Sequence, residues 1–378
     1  MGIGTKNTGD LQFSTTLPTL PNKLIIMASI HRDDFGTTQS GIPVGIYTLA
    51  TATMSVKVLT RGCAFYEVNV PDRNGNLANV CSNMKSLADY ENRRTFFGAF
   101  IGRFANRIAN ATFDLDGRTY TLAKNPFGHA IHGGPGGLDT VIWKIERATS
   151  DDKEAVLELS YCSHDGEEGY PGNLDLRVLY QLTDNRLKMD YTAMTDQRTF
   201  VNLTNHTFWN LAGAGSPSIL DHKLTMPADR YLPAGEGLIP TGEIASVEGT
   251  ALDFRTERRV GERIGEITEP WFAGGYDHCL ILHDKPRGSL SFAAKLVDPD
   301  SGRTMSIETT EPAVQFYSGN FLDGTIISAD GKTFPKQSLL CLETQHYPDS
   351  PHRPAFPSTL LEPGETYRHT TTHHFGVE

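Results

Sequence analysis

The stretch that decides the fold class is Leu174-Asp-Leu-Arg-Val-Leu-Tyr-Gln-Leu-Thr-Asp-Asn-Arg-Leu-Lys-Met-Asp-Tyr-Thr-Ala193. Apolar residues occupy every second position on both sides of Asp184-Asn185, which is the period of a strand that buries one face. Asp and Asn together are typical of a turn, because their side chains hydrogen bond to the local backbone. The stretch therefore predicts a β-hairpin with one face packed on a core.

The same alternation recurs along the chain. It predicts a strand at 54–58, a tight hairpin at 113–122 across Asp-Gly, and a strand pair within 290–307. Helical periodicity is confined to two short segments, 84–94 and 255–264. Many strands and few short helices predict an all-β protein built as a single large antiparallel β-sandwich.

The chain divides unevenly. Residues 1–33 are rich in Thr, Pro, Asn and Gly, which predicts an N-terminal extension that is poorly structured or loosely docked. No linker, change of composition or fixed-period repeat interrupts residues 34–378. We therefore expect one domain over 34–378.

The net charge and the cysteine pattern indicate which partners and which cellular compartment to expect. The 378 residues carry a net charge of −11 without a basic run, which argues against nucleic acid and anionic membranes as partners. Five scattered cysteines outside any C-x-x-C pair favour reduced thiols, and no signal peptide or apolar span is evident. The expectation is a cytoplasmic protein. It is also expected to be a monomer, because no apolar amphipathic stripe remains for an interface.

The segment 202–213 surrounds one histidine, His206, with polar side chains in an otherwise apolar run. These side chains are Asn202, Thr204, Asn205, Thr207 and Asn210. Buried amides and hydroxyls need hydrogen-bond partners. They could fix which ring nitrogen of His206 carries the proton, which a catalytic histidine requires. The alternative is a histidine satisfied within the core.

The loop 127–139 places His132 before four glycines. It lacks the Lys-Ser/Thr of a phosphate-binding P-loop, so the simpler interpretation is a tight loop that lets a ligand approach His132. His129 and His132 could form a metal pair, but no third ligand has a recognisable spacing. The sequence therefore predicts no metal site.

Further polar residues could act on a ligand. Glu343 follows Leu-Leu-Cys-Leu, where partial burial would raise its pKa and its strength as a base; a solvated strand end is the alternative. Arg103, Asn106 and Arg107 could donate to vicinal hydroxyls or form structural ion pairs. Asp277 adds an acid. Three aromatic residues could offer a face to a sugar ring: Trp209, Tyr276 and Phe316.

A series of motifs runs along the chain, namely Gly102-Arg-Phe-Ala-Asn-Arg-Ile108, His132-Gly-Gly, Asp165-Gly-Glu-Glu-Gly-Tyr-Pro-Gly172, Asn202-Leu-Thr-Asn-His206, Tyr231-Leu-Pro, Ile239-Pro-Thr-Gly242, Tyr276-Asp-His278, Val314-Gln-Phe-Tyr-Ser-Gly-Asn-Phe-Leu-Asp-Gly324, Leu342-Glu-Thr-Gln345, Pro348-Asp349 and Leu361-Glu-Pro-Gly-Glu365. With these motifs in the family's order, the chain from about Asp34 to Phe375 resembles the galactose mutarotases (aldose 1-epimerases).

This resemblance implies a β-supersandwich fold and interconversion of the α and β anomers of free hexoses such as galactose and glucose. The family's general base falls on Glu343, its general acid on His206 and its second histidine on His132. Sugar-binding positions fall on Arg107, with Asn106 beside it, and on Asp277 and Gln315. Neither a cofactor nor a metal is implied, and the partner is a monosaccharide substrate.

The chain departs from the family pattern at a few positions. Ala111 stands where the family usually has glycine, Tyr276 where it has phenylalanine, and His346-Tyr347 where it has Asn-Trp. Tyr276 and His346-Tyr347 are expected to border the sugar pocket, which leaves the preferred sugar open.

Three other functions remain as alternatives. A carbohydrate-binding protein without turnover would need no acid–base pair. A hexose-6-phosphate 1-epimerase would need an arginine cluster for the phosphate. A glycoside hydrolase would need a second catalytic carboxylate, for which Asp277 is the candidate.

Overall fold

The computed structural model describes residues 1–2, 27–283, 286 and 288–378. Antiparallel strands dominate it, as predicted. The strands up to residue 150 are β1 (Ser29–Thr37), β2 (Pro43–Ala50), β3 (Ser55–Leu59), β4 (Phe65–Pro71), β5 (Leu77–Asn79), β6 (Ala99–Ile101), β7 (Arg107–Ile108), β8 (Thr112–Leu115), β9 (Arg118–Thr121), β10 (Ala130–Ile131) and β11 (Lys144–Ser150).

The later strands complete the sheets. They are β12 (Glu154–Ser163), β13 (Leu174–Thr183), β14 (Arg186–Thr195), β15 (Thr199–Phe200), β16 (Thr204–His206), β17 (Phe208–Trp209), β18 (Lys223–Thr225), β19 (Arg230–Leu232), β20 (Ala245–Ser246), β21 (Arg258–Arg259), β22 (Asp277–Ile281), β23 (Ser291–Val297), β24 (Arg303–Thr309), β25 (Ala313–Tyr317), β26 (Leu340–Gln345), β27 (Leu360–Leu361) and β28 (Tyr367–Val377).

Helical structure in the described residues is short. The α-helix α1 spans Leu87–Asn92, and single 3₁₀ turns lie at Ala109–Ala111, Glu167–Gly169, Glu236–Leu238, Ile264–Glu266, Pro270–Phe272 and Ser350–His352. No helix among the described residues is long and apolar enough to cross a membrane.

Three large sheets build the sandwich. The nine-stranded sheet has the order β11-β12-β13-β14-β28-β24-β23-β18-β21, the six-stranded sheet β17-β26-β25-β22-β19-β20, and the five-stranded sheet β1-β2-β3-β4-β5. One continuous apolar core joins them: Val178 and Tyr180 of β13 belong to the same buried cluster as Val58 of β3 and Phe316 of β25. The predicted β-sandwich is confirmed.

The hairpin at 174–193 forms as predicted. Strands β13 and β14 pair from Leu174↔Thr195 to Thr183↔Arg186, and Asp184 turns the chain with a φ of 50°. The hairpin at 113–122 is also confirmed: β8 and β9 are joined by Asp116-Gly117, whose positive φ angles of 52° and 74° are those of a two-residue hairpin turn.

Of the two helical predictions, one is right. Helix α1 lies inside 84–94, and the Ser86 side chain caps it by accepting from the Asp89 backbone N–H. The helix predicted at 255–264 is wrong. Arg258 and Arg259 instead pair with β18 as the edge of the nine-stranded sheet. Pairing of the backbone with an open sheet edge outweighs the weak helical preference of a segment that contains Thr256, Val260 and Gly261.

The N-terminal boundary stays a prediction. Strand β1 begins at Ser29, so the last residues of the predicted extension are paired with β2. Residues 3–26 lie outside the described residues. All five cysteines are free thiols, as the scattered spacing predicted.

Candidate active site

One face of the six-stranded sheet carries three of the predicted site residues. Glu343 of β26 is paired with Gln315 of β25, and Gln315 is paired with Cys279 of β22. Asp277 lies two residues before Cys279. Side chains alternate along a strand and match across paired positions, so Glu343, Gln315 and Asp277 point to the same side of the sheet.

Shorter strands supply the rest of the wall. His206 ends β16, which pairs with β6. His132 follows β10, whose residue Ile131 is paired with Arg107 of β7. The His132 backbone N–H donates to the Asn106 carbonyl at 3.0 Å, and the Asn106 backbone N–H donates to Nδ1 of His132 at 3.1 Å.

The glycines after His132 permit this approach. At Gly133 the φ angle is +78°, and an added Cβ would lie 1.8 Å from the Gly102 carbonyl oxygen. Only glycine fits so close to another backbone segment. The predicted tight loop is thus present, and it holds His132 beside Asn106. His129 does not join His132: its Nδ1 accepts from the Asn110 N–H at 3.0 Å.

These walls enclose a cleft of about 260 Å³. Six of the seven predicted site residues line it, namely Asn106, Arg107, His132, His206, Asp277 and Glu343. The seventh, Gln315, supports it by donating from Nε2 to Oδ1 of Asp277 at 2.6 Å. The volume lies slightly below the roughly 300–1,000 Å³ typical of pockets for drug-sized ligands.

A histidine and a carboxylate meet in the cleft. Nε2 of His206 lies 3.6 Å from Oε1 of Glu343, and the two residues are 5% and 2% exposed. The sequence alternative of a solvated strand-end glutamate is therefore wrong, and His206 is a buried histidine that lines the cleft. The other carboxylate oxygen of Glu343, Oε2, has no hydrogen-bond partner among the described residues.

Burial dominates the protonation of this pair. It raises the pKa of Glu343 well above its usual value, and the Asp277 carboxylate raises it further, while Arg107 opposes both. It lowers the pKa of His206 to about 4, in the same direction as the nearby Arg107 charge. Both effects favour the uncharged forms, because a charge loses solvation in the cleft.

His132 is held neutral and oriented. Burial lowers its pKa well below the usual value, and the charges of His206, Arg107 and Arg94 act in the same direction. Because Nδ1 accepts from the Asn106 backbone, a neutral His132 carries its proton on Nε2. The ring is therefore a hydrogen-bond donor.

The polar end of the cleft contains Arg107, Asp277 and Gln315. The guanidinium NH2 of Arg107 lies 3.9 Å from Oδ2 of Asp277. Burial raises the pKa of Asp277, while Arg107 and the hydrogen bond from Gln315 oppose that shift. Nε of Arg107 and Oε1 of Gln315 are buried and have no hydrogen-bond partner among the described residues, which leaves polar capacity unused beside the cleft.

The polar residues around His206 have partners, but not the ones predicted. Asn202 donates to the Ala105 carbonyl at 3.2 Å, Thr204 to the Thr344 carbonyl at 2.8 Å, and Asn205 to the Gly98 carbonyl at 2.9 Å. These bonds tie β16 to neighbouring backbone. The prediction that these side chains fix the His206 ring is therefore wrong.

The two arginines of the 102–108 motif separate by role. Arg107 lines the cleft, whereas the buried Arg103 donates to the carbonyls of Ser163, His164 and Pro171 at 2.7–2.9 Å. Sequence reasoning left binding and structural roles open for both. Arg103 is structural, because its donors are used by backbone oxygens.

The predicted aromatic faces were wrong. Trp209, Tyr276 and Phe316 are at most 1% exposed and pack in the core. His346 and Tyr347 also lie elsewhere, on the wall of a second cavity, so neither they nor Tyr276 borders the cleft. A strand alternates its faces, and Phe316 therefore points away from the side that carries Gln315.

Five aromatic residues that the sequence reasoning did not select line the cleft instead: Phe96, Phe97, Phe208, Tyr317 and Phe321. His206 lies between Phe96 and Phe208, with ring centroids 5.6 Å and 5.0 Å away and near-parallel planes. Tyr317 could have been found from its position two residues after Gln315. Nothing local to the loop at Phe96 marks it as a site residue.

The family model described as aldose 1-epimerase matches residues 45–374. The chain belongs to the aldose 1-epimerase family. The human galactose mutarotase is 43% identical over 352 residues, which cover 93% of this chain and 100% of that protein. The Escherichia coli K12 aldose 1-epimerase is 37% identical over 342 residues, 89% of this chain and 97% of that protein.

Solved structures agree with the aldose 1-epimerase assignment. A crystal structure of galactose 1-epimerase from Lactobacillus acidophilus NCFM superposes with a TM-score of 0.80 at 28% identity, covering 93% of this chain and 99% of that chain. The resemblance stated from the motifs is confirmed, and the protein is an isomerase of the aldose 1-epimerase type.

Proposed function

We propose that the protein interconverts the α and β anomers of free aldohexoses, with galactose and glucose as substrates. The observation that carries the proposal is the buried contact between His206 and Glu343 at 3.6 Å, beside unpaired polar atoms of Glu343 and Arg107. Anomer exchange needs one group that removes the O1 proton and another that protonates the ring oxygen O5. A cleft of about 260 Å³ suits a single monosaccharide.

In the proposed reaction, Glu343 takes the O1 proton while His206 delivers a proton to O5. The C1–O5 bond breaks as the C1 carbonyl forms. The open chain then rotates about C1–C2 and presents the other face of the carbonyl. O5 attacks that face, returns its proton to His206, and O1 recovers its proton from Glu343. Each positioned acid or base typically contributes about 10²- to 10⁴-fold to the rate.

This reaction leaves the total number of protons on the enzyme unchanged. Opening adds one proton to Glu343 and removes one from His206, so the pair must hold one transferable proton when the sugar binds. Burial resists both a doubly protonated, positive pair and a fully deprotonated, negative pair. The one-proton state is therefore the stable state around neutral pH. Burial favours the form that carries this proton on Glu343, and ring opening starts from the form that carries it on His206.

The remaining cleft residues hold the sugar in this proposal. The proton on Nε2 of His132 serves as a donor toward the ring oxygen. Arg107, Asp277, Gln315 and Asn106 fix the hydroxyl groups away from C1, so that only the C1 end rotates. Asp277 suits binding better than a second catalytic role, because it already accepts from Gln315 and faces Arg107. That arrangement disfavours a glycoside hydrolase.

A phosphorylated hexose fits less well. Arg93 and Arg94 also line the cleft, but Arg94 forms a short ion pair with Asp139 at 2.5 Å, and Arg93 contacts Thr325 and Asp323. Their charges are therefore partly neutralised. Faster turnover of galactose 6-phosphate than of galactose would contradict the proposal of a free-sugar substrate.

We further propose that the protein acts in the cytoplasm as a monomer. Five free thiols, four of them buried, are consistent with a reducing compartment. The net charge of −11 also argues against nucleic acid and anionic membrane as partners. Light scattering across a range of protein concentrations tests the monomer.

The test of function is polarimetry of freshly dissolved α-D-galactose and α-D-glucose near pH 7. We expect a faster approach to equilibrium than in buffer, and a loss of about 10²-fold or more in Glu343→Gln, which keeps the shape but removes the base. Glu308→Gln is the matched control, because Glu308 lies outside the cleft and its carboxylate contacts His374 at 3.0 Å. Sugar binding without acceleration would favour a non-catalytic carbohydrate-binding protein.

A further inference from the structure

A second group of buried ionisable side chains lies away from the cleft. Glu311, His346 and His369 meet where the ends of β24, β26 and β28 come together. Both histidines line a cavity of about 780 Å³, and none of the described residues lines both this cavity and the cleft. The proposed epimerase reaction uses none of these three residues.

The glutamate holds both rings. Nδ1 of His346 lies 2.6 Å from Oε2 of Glu311, and Nδ1 of His369 lies 2.8 Å from Oε1. The ring centroids are 5.2 Å apart, with planes at 82°. Glu311 is 1% exposed, so its carboxylate is shielded from solvent. The hydroxyl of Tyr367 also donates to this carboxylate, at 3.2 Å.

We propose that Glu311, His346 and His369 bind a divalent transition-metal ion, with Zn²⁺ the best match. Two imidazoles and one carboxylate are a ligand set that zinc uses when it keeps a fourth position for water. One ligand atom from each residue lies within 4.8 Å of the other two. The adjoining cavity provides room for the water ligand, and the cation neutralises the buried carboxylate.

Binding requires only a small rearrangement. A carboxylate accepts and does not donate, so each Nδ1 carries the proton in the present hydrogen bonds. Zinc takes the Nδ1 lone pairs, and each proton moves to Nε2 of its own ring or to solvent. Ligand atoms of a tetrahedral zinc site are about 3.3 Å apart, so the present contacts of 2.6 Å and 2.8 Å must lengthen by about 0.5–0.7 Å.

The first experiment is calorimetric titration of zinc chloride into the full chain after treatment with a chelator and its removal. We expect one zinc ion per chain, and at least a tenfold loss of affinity in His346→Asn and in His369→Asn. His374→Asn is the matched control: His374 lies on the same strand and contacts Glu308 at 3.0 Å, but it is outside the proposed ligand set.

A second control separates this cluster from the cleft. Within the described residues, His132, His206 and Glu343 form the other group with three potential ligands in reach. Zinc binding at the proposed site must persist in His206→Asn. Loss of all binding in that variant would move the metal to the cleft and overturn the proposal. Circular dichroism and the mutarotation rate report whether each variant at the cluster folds.

Crystallography locates the ion without any substitution. Crystals of the unmodified protein soaked in zinc chloride should show an anomalous peak bonded to Glu311, His346 and His369. An absence of zinc uptake at micromolar concentrations, or a peak only at other positions, would contradict the proposal. The cluster would then be a buried ion pair that stabilises the fold.

Discussion

Sγ of Cys341 lies 3.6 Å from Nδ1 of His206, on the ring edge opposite Nε2, which faces Glu343. Cys341 and Glu343 are two residues apart on β26 and therefore project from the same face of the strand. One strand thus contacts both nitrogens of the proposed acid. Burial raises the pKa of the Cys341 thiol well above its usual value, so the thiol keeps its proton.

A protonated thiol donates to Nδ1 of a neutral His206 and accepts from Nδ1–H of the imidazolium that acts as the acid, so it orients the ring with Nε2 toward the sugar in both forms. We predict that Cys341→Ala lowers kcat about three- to tenfold, the range expected for loss of one modest hydrogen bond. Cys341→Ser keeps a donor and should recover most of the rate. Stopped-flow polarimetry measures kcat and KM separately.

The matched control for this pair is Cys63→Ala. Cys63 is also a buried thiol, but it belongs to a different apolar cluster from Cys341 and does not line the cleft. Equal losses in the two alanine variants, or a serine variant no better than alanine, would show that Cys341 acts only through packing.

The pH dependence of the rate follows from the proton shared by His206 and Glu343. The pKa of His206 is lowered to about 4, so the pair gains its second proton only near that pH, below the usual range of histidine. The pKa of Glu343 is raised, so the last proton is lost above the usual range of glutamate. We predict a plateau of kcat/KM through neutral pH, with the acid limb near pH 4.

This profile is measured by polarimetry with the uncatalysed rate subtracted at each pH, and circular dichroism confirms that the protein stays folded. An acid limb centred near 6.5, the ordinary value for histidine, would mean that burial does not control the pair. A second test uses Glu343→Gln. Because this variant has no carboxyl group to titrate, its kcat/KM should no longer fall at alkaline pH.

Gln315 is expected to act on binding more than on chemistry. Its Nε2 donates to Asp277 at 2.6 Å, while its own Oε1 has no hydrogen-bond partner among the described residues. We predict that Gln315→Met, which keeps the size but removes both groups, raises KM about tenfold and changes kcat by less. A fall in kcat with KM unchanged would instead assign Gln315 to the transition state.

The sequence predicted the strands and the polar site residues because both leave local signals. Alternation marks β13 and β14, and the motifs around His132, His206 and Glu343 lie on strands that the sheets bring together. The aromatic wall was missed for a physical reason: Phe96 enters the cleft from a loop, and which face of β25 points inward depends on the sheet's packing. Trp209 and Phe316 are consequently core residues, while Tyr317 lines the cleft.

Contacts between segments that are distant along the chain could also not be predicted from the sequence. The grouping of Glu311, His346 and His369 joins the ends of three strands, and no spacing along the chain indicates it. The same holds for Cys341, which sequence reasoning treated only as part of the apolar run before Glu343. Its role depends on the register of β26 relative to His206.

Arg103 gives a prediction about stability rather than rate. Its guanidinium is buried and donates to the Ser163, His164 and Pro171 carbonyls and to the Ser163 hydroxyl. Arg103→Met keeps much of the apolar stem but leaves three backbone oxygens without these donors, and each unsatisfied buried group costs about 1–3 kcal/mol. We therefore expect the free energy of unfolding in urea to fall by about 3 kcal/mol or more. Arg177→Met, at an exposed ion pair with Glu158, should change it by less than about 1 kcal/mol. If the free energy of unfolding also fell by less than about 1 kcal/mol in Arg103→Met, water would replace the guanidinium at these carbonyls.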